Sequence, residues 1–248
     1  MGKKKKRKKR NSKLLKILIF IILIAIAIIF ALVSPIFNIE TITVQGNEKI
    51  DSDTIISISG LEVGNNIFKC RSGEIEKNIK EEPYIESAKM KRRIPGTIEI
   101  TVIERKIAYQ INIIDGFIYI DDEGYILEKS SEMQKIPILE GFKTTQENLL
   151  NGKRLCSDDL NYLNTVLKIV NASKNLDIYE SITKIIIENN EFVLYFQNEN
   201  KYAYLGNGTE ITNKMTYVKA IMQKESNSGK IFVNGDINGG FKPYFREE

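Results

Sequence analysis

The alternation of apolar and polar positions divides the chain into three regimes. From Ile17 to Val33, seventeen apolar residues follow one another without interruption. Counted from Leu14, about 20 residues at 1.5 Å rise cover roughly 30 Å, the thickness of a bilayer's hydrocarbon core. Fourteen of the seventeen are Ile, Leu, Phe or Val. At about −0.3 to −0.6 kcal/mol each they favour insertion by roughly 4–8 kcal/mol. The pattern predicts one transmembrane helix over 14–34, its apolar core bounded by Ile17 and Val33.

The second regime, 36–106, mixes two periods. Ile36–Val44 reads as a strand whose apolar phase slips by one between Ile39 and Ile42, which predicts a bulge or a late start. Asp51 or Ser52 can cap a short helix carrying Ile55, Ile58 and Leu61. Ser72 opens a second helix with Ile75 and Ile79 on one face, and Pro83 stops it. Ile85–Ile94 and Thr97–Ile103 are strands joined by Pro95-Gly96, the latter with Ile98, Ile100 and Val102 in strict alternation. The order β-α-α-β-β places both helices on one face of a sheet.

The third regime, 107–248, is richer in strands. Ala108–Ile114, Phe117–Ile120 and Tyr125–Leu127 are short apolar runs separated by turn residues. Cys156–Asn171 has a helical stripe of Leu160, Leu163, Val166 and Val170, with Ser157 as its expected cap. Ile182–Ile187 and Glu191–Gln197 flank Asn189-Asn190 as a hairpin, and Tyr202–Leu205 adds a strand. Thr209 is expected to cap a helix running to Lys224, and Ile231–Val233 and Ile237–Phe245 close the chain as strands. The fold class is therefore α+β: an N-terminal membrane helix, a β-α-α-β-β domain, and a mixed, mainly antiparallel β-domain with flanking helices.

Charge orients this plan. Ten Lys or Arg and no acid precede residue 17. Positive flanks stay cytoplasmic, so 1–13 is read as a cytoplasmic basic tail and the remainder as extracytoplasmic, a single-pass type II arrangement. Of 36 Lys+Arg and 32 Asp+Glu in the chain, removing those ten bases leaves 26 against 32, so the outer part is near −6. A basic stretch beside a span gains about 1 kcal/mol per residue from anionic lipid. Its partner is thus read as the bilayer rather than nucleic acid. A cleaved secretory signal is disfavoured by the long apolar core, by the lack of a small-x-small site and by Pro35 directly after Ser34.

The chain contains no His and no Trp. Imidazole-based triads and His-ligated zinc are excluded, and no cofactor or metal is expected. Cys70 and Cys156 fall in different expected domains and read as semi-buried free thiols. Asp121, Asp122 and Glu123 lack the spacing of a calcium loop and read as a hairpin turn. The enzymatic alternative would be a membrane-tethered, carboxylate-dependent cell-wall glycan hydrolase using those three acids. A transport or secretion component built on such β-α-α-β-β modules would need repeated units or a barrel-length strand series, and the chain shows neither.

Several short motifs stand in order behind the span: Val44-Gln45-Gly46-Asn47, Gly64-Asn65-Asn66-Ile67-Phe68, Pro83-Tyr84-Ile85, Arg93-Ile94-Pro95-Gly96 and Glu104-Arg105. Together they resemble the POTRA domain of the bacterial division proteins called FtsQ or DivIB, with Tyr84 where that family commonly has Trp. Ile136-Pro137-Ile138-Leu139-Glu140-Gly141 resembles a later segment of the same family, and Ser228–Asn234 with Gly239–Phe245 resembles its closing strands. Gly46, Asn47, Pro83, Arg93, Pro95, Glu104 and Arg105 then have structural rather than chemical roles.

The resemblance implies a non-catalytic septal scaffold holding FtsB/DivIC-like and FtsL-like single-pass partners. Through them it would influence the septal peptidoglycan synthase. A closing strand tends to lie at a sheet edge, where unpaired backbone groups accept another chain. Phe232, Val233, Ile237, Phe241, Tyr244 and Phe245 are the expected partner-binding anchors.

Overall fold

The computed structural model describes residues 5–248, and side chains from Lys13 onward. Residues 1–4 of the basic tail expected over 1–13 lie outside the described residues. The chain divides into two compact units, 1–104 and 105–248.

In the first unit, helix α1 runs Lys5–Val33, and its stretch Lys13–Val33 is long and apolar enough to cross a membrane, with none of it buried. Ser34 and Pro35 end it, and Pro35–Phe37 forms a single 3-10 turn rather than the strand expected from Ile36. Strand β1 starts late, at Thr41–Gln45, where Ile42 and Val44 come into phase. Helices α2 (Ser52–Ser59) and α3 (Ser72–Ile79) follow, then β2 (Ile85–Arg93) and β3 (Thr97–Glu104). The sheet order is β1-β3-β2, with β1 parallel and β2 antiparallel to β3.

Both helices cover one face of this sheet. Ile55, Ile75 and Ile79 meet Ile98, Ile100 and Val102 in a single apolar cluster, with Ile39 and Ile67 closing its end. Gly46 takes φ +86° where a Cβ would fall 2.2 Å from the Val102 carbonyl oxygen, so the turn after β1 admits only glycine.

The second unit is one nine-stranded sheet. Its strands are β4 (Tyr109–Ile113), β5 (Gly116–Ile120), β6 (Ile126–Ser130), β7 (Ile138–Glu140), β8 (Lys184–Glu188), β9 (Glu191–Phe196), β10 (Lys201–Gly206), β11 (Gly229–Phe232) and β12 (Tyr244–Glu247). Their order is β12-β11-β10-β9-β8-β7-β4-β5-β6. Parallel neighbours need a long crossover. Helix α4 (Ser157–Asn175) links β7 to its parallel partner β8, and α5 (Ile211–Lys224) links β10 to its parallel partner β11.

Alternate residues of the central strands, among them Ile111, Leu139, Ile185, Leu194, Ala203 and Ile231, pack with Val166, Ile169, Met215 and Val218 of the helices. On the other side of β4 and β5, the fully buried Gln110 holds the segment 134–136. Its amide donates to the Gln134 and Ile136 carbonyls (2.9 and 2.8 Å) and its oxygen accepts from the Gln134 N–H at 3.0 Å.

Local expectations need four corrections. The first helical residue of α4 is Ser157, so Cys156 rather than Ser157 occupies the cap position. The cap position of α5 belongs to Glu210, in the left-handed region at φ 55°, while the Thr209 hydroxyl donates to Asn207 at 2.8 Å. Cys156 is exposed rather than semi-buried. The expected strand Ile237–Phe245 is instead a loop through 234–243 followed by β12. Gly239, Gly240 at φ 95° and Pro243 interrupt any ladder there.

Candidate partner-binding edge

The sheet of the second unit has two outer strands, β6 and β12, and they differ. At β6, the Ile126 N–H donates to the Lys153 carbonyl and the Gly152 N–H donates to the Ile126 carbonyl, both at 2.8 Å, so an irregular segment covers its beginning. Strand β12 pairs with β11 alone.

The register fixes which groups of β12 face outward. The Glu248 N–H donates to the Ser228 carbonyl at 3.3 Å, and the pairs Lys230↔Arg246 and Phe232↔Tyr244 follow in the same register. Antiparallel pairs alternate between bonded and non-bonded. Arg246 and Tyr244 therefore turn their backbone groups toward β11, whereas Phe245 and Glu247 turn theirs away. The edge offers two N–H and two C=O groups at a defined spacing.

Side chains stiffen this edge. Tyr204, Phe232 and Tyr244 sit opposite one another on β10, β11 and β12 and stack face to face, with centroids 5.0 and 4.8 Å apart and interplanar angles of 8° and 17°. Such ring pairs contribute about 0.5–1.5 kcal/mol each beyond area burial. The Arg246 guanidinium lies 5.6 Å from the Phe232 ring centroid on the same face. Tyr244 ends the ladder and is 45% exposed. The Lys230 ammonium pairs with Glu248, which raises its pKa through a side-chain hydrogen bond and charge attraction.

Of the six residues expected as anchors, Tyr244 is exposed on the edge strand. Phe232 and Phe241 are half-buried around it, Phe241 with its ring 6.4 Å from Tyr244. Ile237 lies in the preceding loop, half-buried. Phe245 points the other way, against the main core. Val233 needs correction as a partner anchor: it is wholly buried in that core and has no surface to offer. Alternation along β11 dictates this, since Ile231 and Val233 share the inner face.

Sequence reading missed the device that places the loop ahead of β12. The Glu210 carboxylate accepts the N–H groups of Ile237 and Asn238 at 3.1 and 3.2 Å, and the Asp236 carboxylate accepts that of Gly239 at 2.8 Å. One turn after Glu210, Lys214 is 1% exposed and donates to the Leu205 carbonyl at 2.8 Å. Desolvation lowers its pKa, opposed by the charges of Glu210, Asp236 and Glu191. A lysine inside the apolar stripe of α5 was the available signal.

The motif residues of the first unit do structural work. Asn47 donates to the Ile50 carbonyl at 2.8 Å, and Glu104 accepts the N–H groups of Lys49 and Ile50 at 2.7 and 2.9 Å, tying the loop after Gly46 to the end of β3. Pro83 sits in the turn between α3 and β2, and Pro95 follows a cis peptide bond in the β2–β3 turn. Arg93 pairs with Glu99 at 2.9 Å on an exposed surface.

In the second unit, Arg105 pairs with the buried Asp121 at 2.5 Å and with Glu123 at 3.2 Å, and lies 3.7 Å over the Tyr125 ring. Asp121 also accepts the N–H groups of Glu123 and Tyr125. The acidic cluster is thus a hairpin turn whose leading carboxylate is fully engaged. Burial pushes the Cys70 thiol above its ordinary value, with Arg92 opposing.

A single apolar helix, a three-stranded β-α-α-β-β module and an open-edged β-domain together define a membrane-anchored POTRA protein, and residues 37–105 match the family of POTRA domains of the FtsQ type. The chain is 31% identical over 217 residues to the cell division protein DivIB of Clostridium acetobutylicum, covering 86% of this chain and 85% of that protein. It is likewise 31% identical over 215 residues to DivIB of Clostridium tetani, covering 84% of this chain and 78% of that one. The cell division protein FtsQ of Corynebacterium glutamicum is 26% identical over 203 residues, 81% of this chain and 86% of its own length. The chain belongs to the FtsQ/DivIB family of cell division proteins. Among solved structures, the major extracytoplasmic domain of DivIB from Geobacillus stearothermophilus aligns at TM-score 0.31 and 10% identity, over 49% of this chain and 95% of that one.

Proposed function

We propose that this cell division protein is a non-enzymatic, single-pass scaffold at the septum, with its N-terminus cytoplasmic and both folded units outside. Its β-domain captures single-pass partners of the FtsB/DivIC and FtsL kind by strand addition to β12. Through them it influences septal peptidoglycan synthesis. The observation that carries this reading is the geometry of β12: one bonded neighbour, outward backbone groups at Phe245 and Glu247, and an aromatic ladder ending in the exposed Tyr244. Main-chain bonds would supply affinity, and the ladder would select a planar or β-branched residue opposite Tyr244.

The hydrolase alternative is not favoured. Asp121 is buried and bound by Arg105 and two backbone N–H groups, so it cannot swing toward a glycan. The test is a pull-down of purified partner by the full-length chain and by Tyr244→Asp and Phe241→Asp. Loss of capture with a retained thermal transition supports the reading, and undiminished capture by both variants refutes it.

A further inference from the structure

The end of α1 and the first folded unit are physically joined. Asn66, 7% exposed, donates its side-chain N–H to the Ala31 carbonyl at 3.0 Å, capping one of the last helical oxygens that lacks an intrahelical partner. Phe30 in the last turn of α1 lies edge-on to Phe37 at 6.5 Å, and Phe37 lies edge-on to Phe68 at 5.2 Å. The N–H groups of Gly64 and Ile67 donate to the Ile39 and Phe37 carbonyls, both at 2.8 Å. The turn after β2 closes on the same segment, its Gly96 carbonyl accepting the Glu40 N–H at 2.7 Å. Two loops, 63–71 and 93–96, therefore surround the point where the chain leaves the span.

Exposed apolar side chains collect at this pole. Between residues 35 and 104, Ile36, Val63, Phe68, Ile94 and Ile103 are the large apolar groups standing 38–67% exposed among the described residues, and only Ile103 lies at the far end of the sheet. Cations stand among them. The exposed Lys69 makes no ion pair among the described residues, Arg71 pairs with Glu74 at 2.9 Å, and Arg92 donates to the Ile67 and Cys70 carbonyls. An open cleft of about 640 Å³, lined by Leu32, Val33, Asn66, Lys69, Arg71 and Ile75 among others, runs from the last turn of α1 into this pole.

We propose that the pole formed by Ile36, Val63, Phe68 and Ile94 seats on the phospholipid surface from which α1 emerges, with Lys69 on a lipid phosphate beside the cleft. The inference rests on α1 spanning the membrane. A bilayer is the occupant because the surface continues the lipid-facing span: Phe68 reaches Phe30, one turn inside α1, through a single intervening ring. Apolar side chains beside lysine and arginine suit the boundary between acyl chains and headgroups. Seating fixes the tilt of the POTRA-type module, which a free hinge after the span would leave undefined.

The test uses the full-length chain in phosphatidylglycerol/phosphatidylcholine nanodiscs, on a Cys70→Ser, Cys156→Ser background. One environment-sensitive dye is attached to Val63→Cys, Ile94→Cys, Ile103→Cys or Leu23→Cys, and lipids carrying a nitroxide headgroup or acyl-chain quencher are added. The expected result is strong acyl-chain quenching at 23, and headgroup quenching at 63 and 94 roughly threefold above that at 103. The same gap should close when Lys69→Glu and Phe68→Asp are introduced together. Equal quenching at 63, 94 and 103 with 23 quenched overturns this inference alone. An unquenched probe at 23 overturns the spanning reading and this inference with it.

Discussion

Gly229 opens β11 opposite Glu247, and a Cβ there would stand 2.3 Å from the Arg246 carbonyl oxygen and 2.7 Å from the Phe245 ring. A backbone atom inside 3 Å must move, so Gly229→Ala forces β11 and β12 apart. The strand that yields is β12. Ile231 anchors β11 in the core and β10 flanks it, whereas β12 is held by four residue pairs on one side. Fraying of β12 displaces the outward N–H and C=O groups of Phe245 and Glu247. At about 1 kcal/mol net per hydrogen bond, four such groups account for about 4 kcal/mol of strand addition, close to three decades in Kd.

The cost to the fold is smaller, because Phe245 is the one side chain of β12 that packs on the core and it is only partly buried there. About 1–2 kcal/mol corresponds to a melting shift of roughly 3–8 °C for a unit of this size. The assay pairs a binding isotherm for the purified partner on the full-length chain with amide exchange at Tyr244 and Arg246, whose N–H groups face β11. Strong loss of affinity, faster exchange confined to 244–247 and a modest melting shift are expected. Parental affinity alongside a visibly frayed β12 would refute the edge as the docking element.

Three further outcomes follow from the same structure. Tyr244→Asp removes one stacked pair, about 0.5–1.5 kcal/mol of fold stability, yet abolishes pull-down of the partner; calorimetry and pull-down on one preparation check both halves. Arg105→Met strands Asp121, 2% exposed, without its cation and lowers stability of the second unit by about 3–5 kcal/mol, while adding Asp121→Leu restores most of it in urea titration. Burial holds Lys214 below its ordinary 10.5, so the unfolded chain binds that proton more tightly than the native one. Stability therefore rises with pH as the solution passes from the lowered value toward 10.5, and a Lys214→Met chain lacks that rise in denaturant midpoints measured from pH 8 to 10.5.

Much of the architecture was legible because burial and periodicity coincide in it. Ile98, Ile100 and Val102 alternate because one face of β3 is covered by α2 and α3, and the same alternation is written in the sequence. The uninterrupted run Ile17–Val33 and the stripe of α4 were legible for the same reason. What escaped was set by partners distant in sequence. Nothing local to Ile237–Tyr244 announces that Glu210 will hold the loop's N–H groups, so an apolar stretch read as strand.

The interior position of Val233 was a question of phase: counting from Ile231 places it inward, whereas its nearness to Phe232 suggested a shared surface. Arg105 and Asp121 stand sixteen residues apart, and the antiparallel pairing of β4 with β5 brings them to 2.5 Å. Phe37 belonged to an expected strand and Phe68 to a motif farther along the chain, and the fold brings their rings to 5.2 Å. The stacked ladder needed the parallel β10–β11 register, which no local pattern specifies.

The most direct test of the account is photo-crosslinking in dividing cells from an unnatural amino acid at Glu247, whose backbone faces away from β11, compared with the same probe at Lys129 on the opposite outer strand. The account predicts covalent capture of a small single-pass coiled-coil division protein from position 247, lost in the Gly229→Ala chain. Capture of that protein from 129 and none from 247 would contradict it.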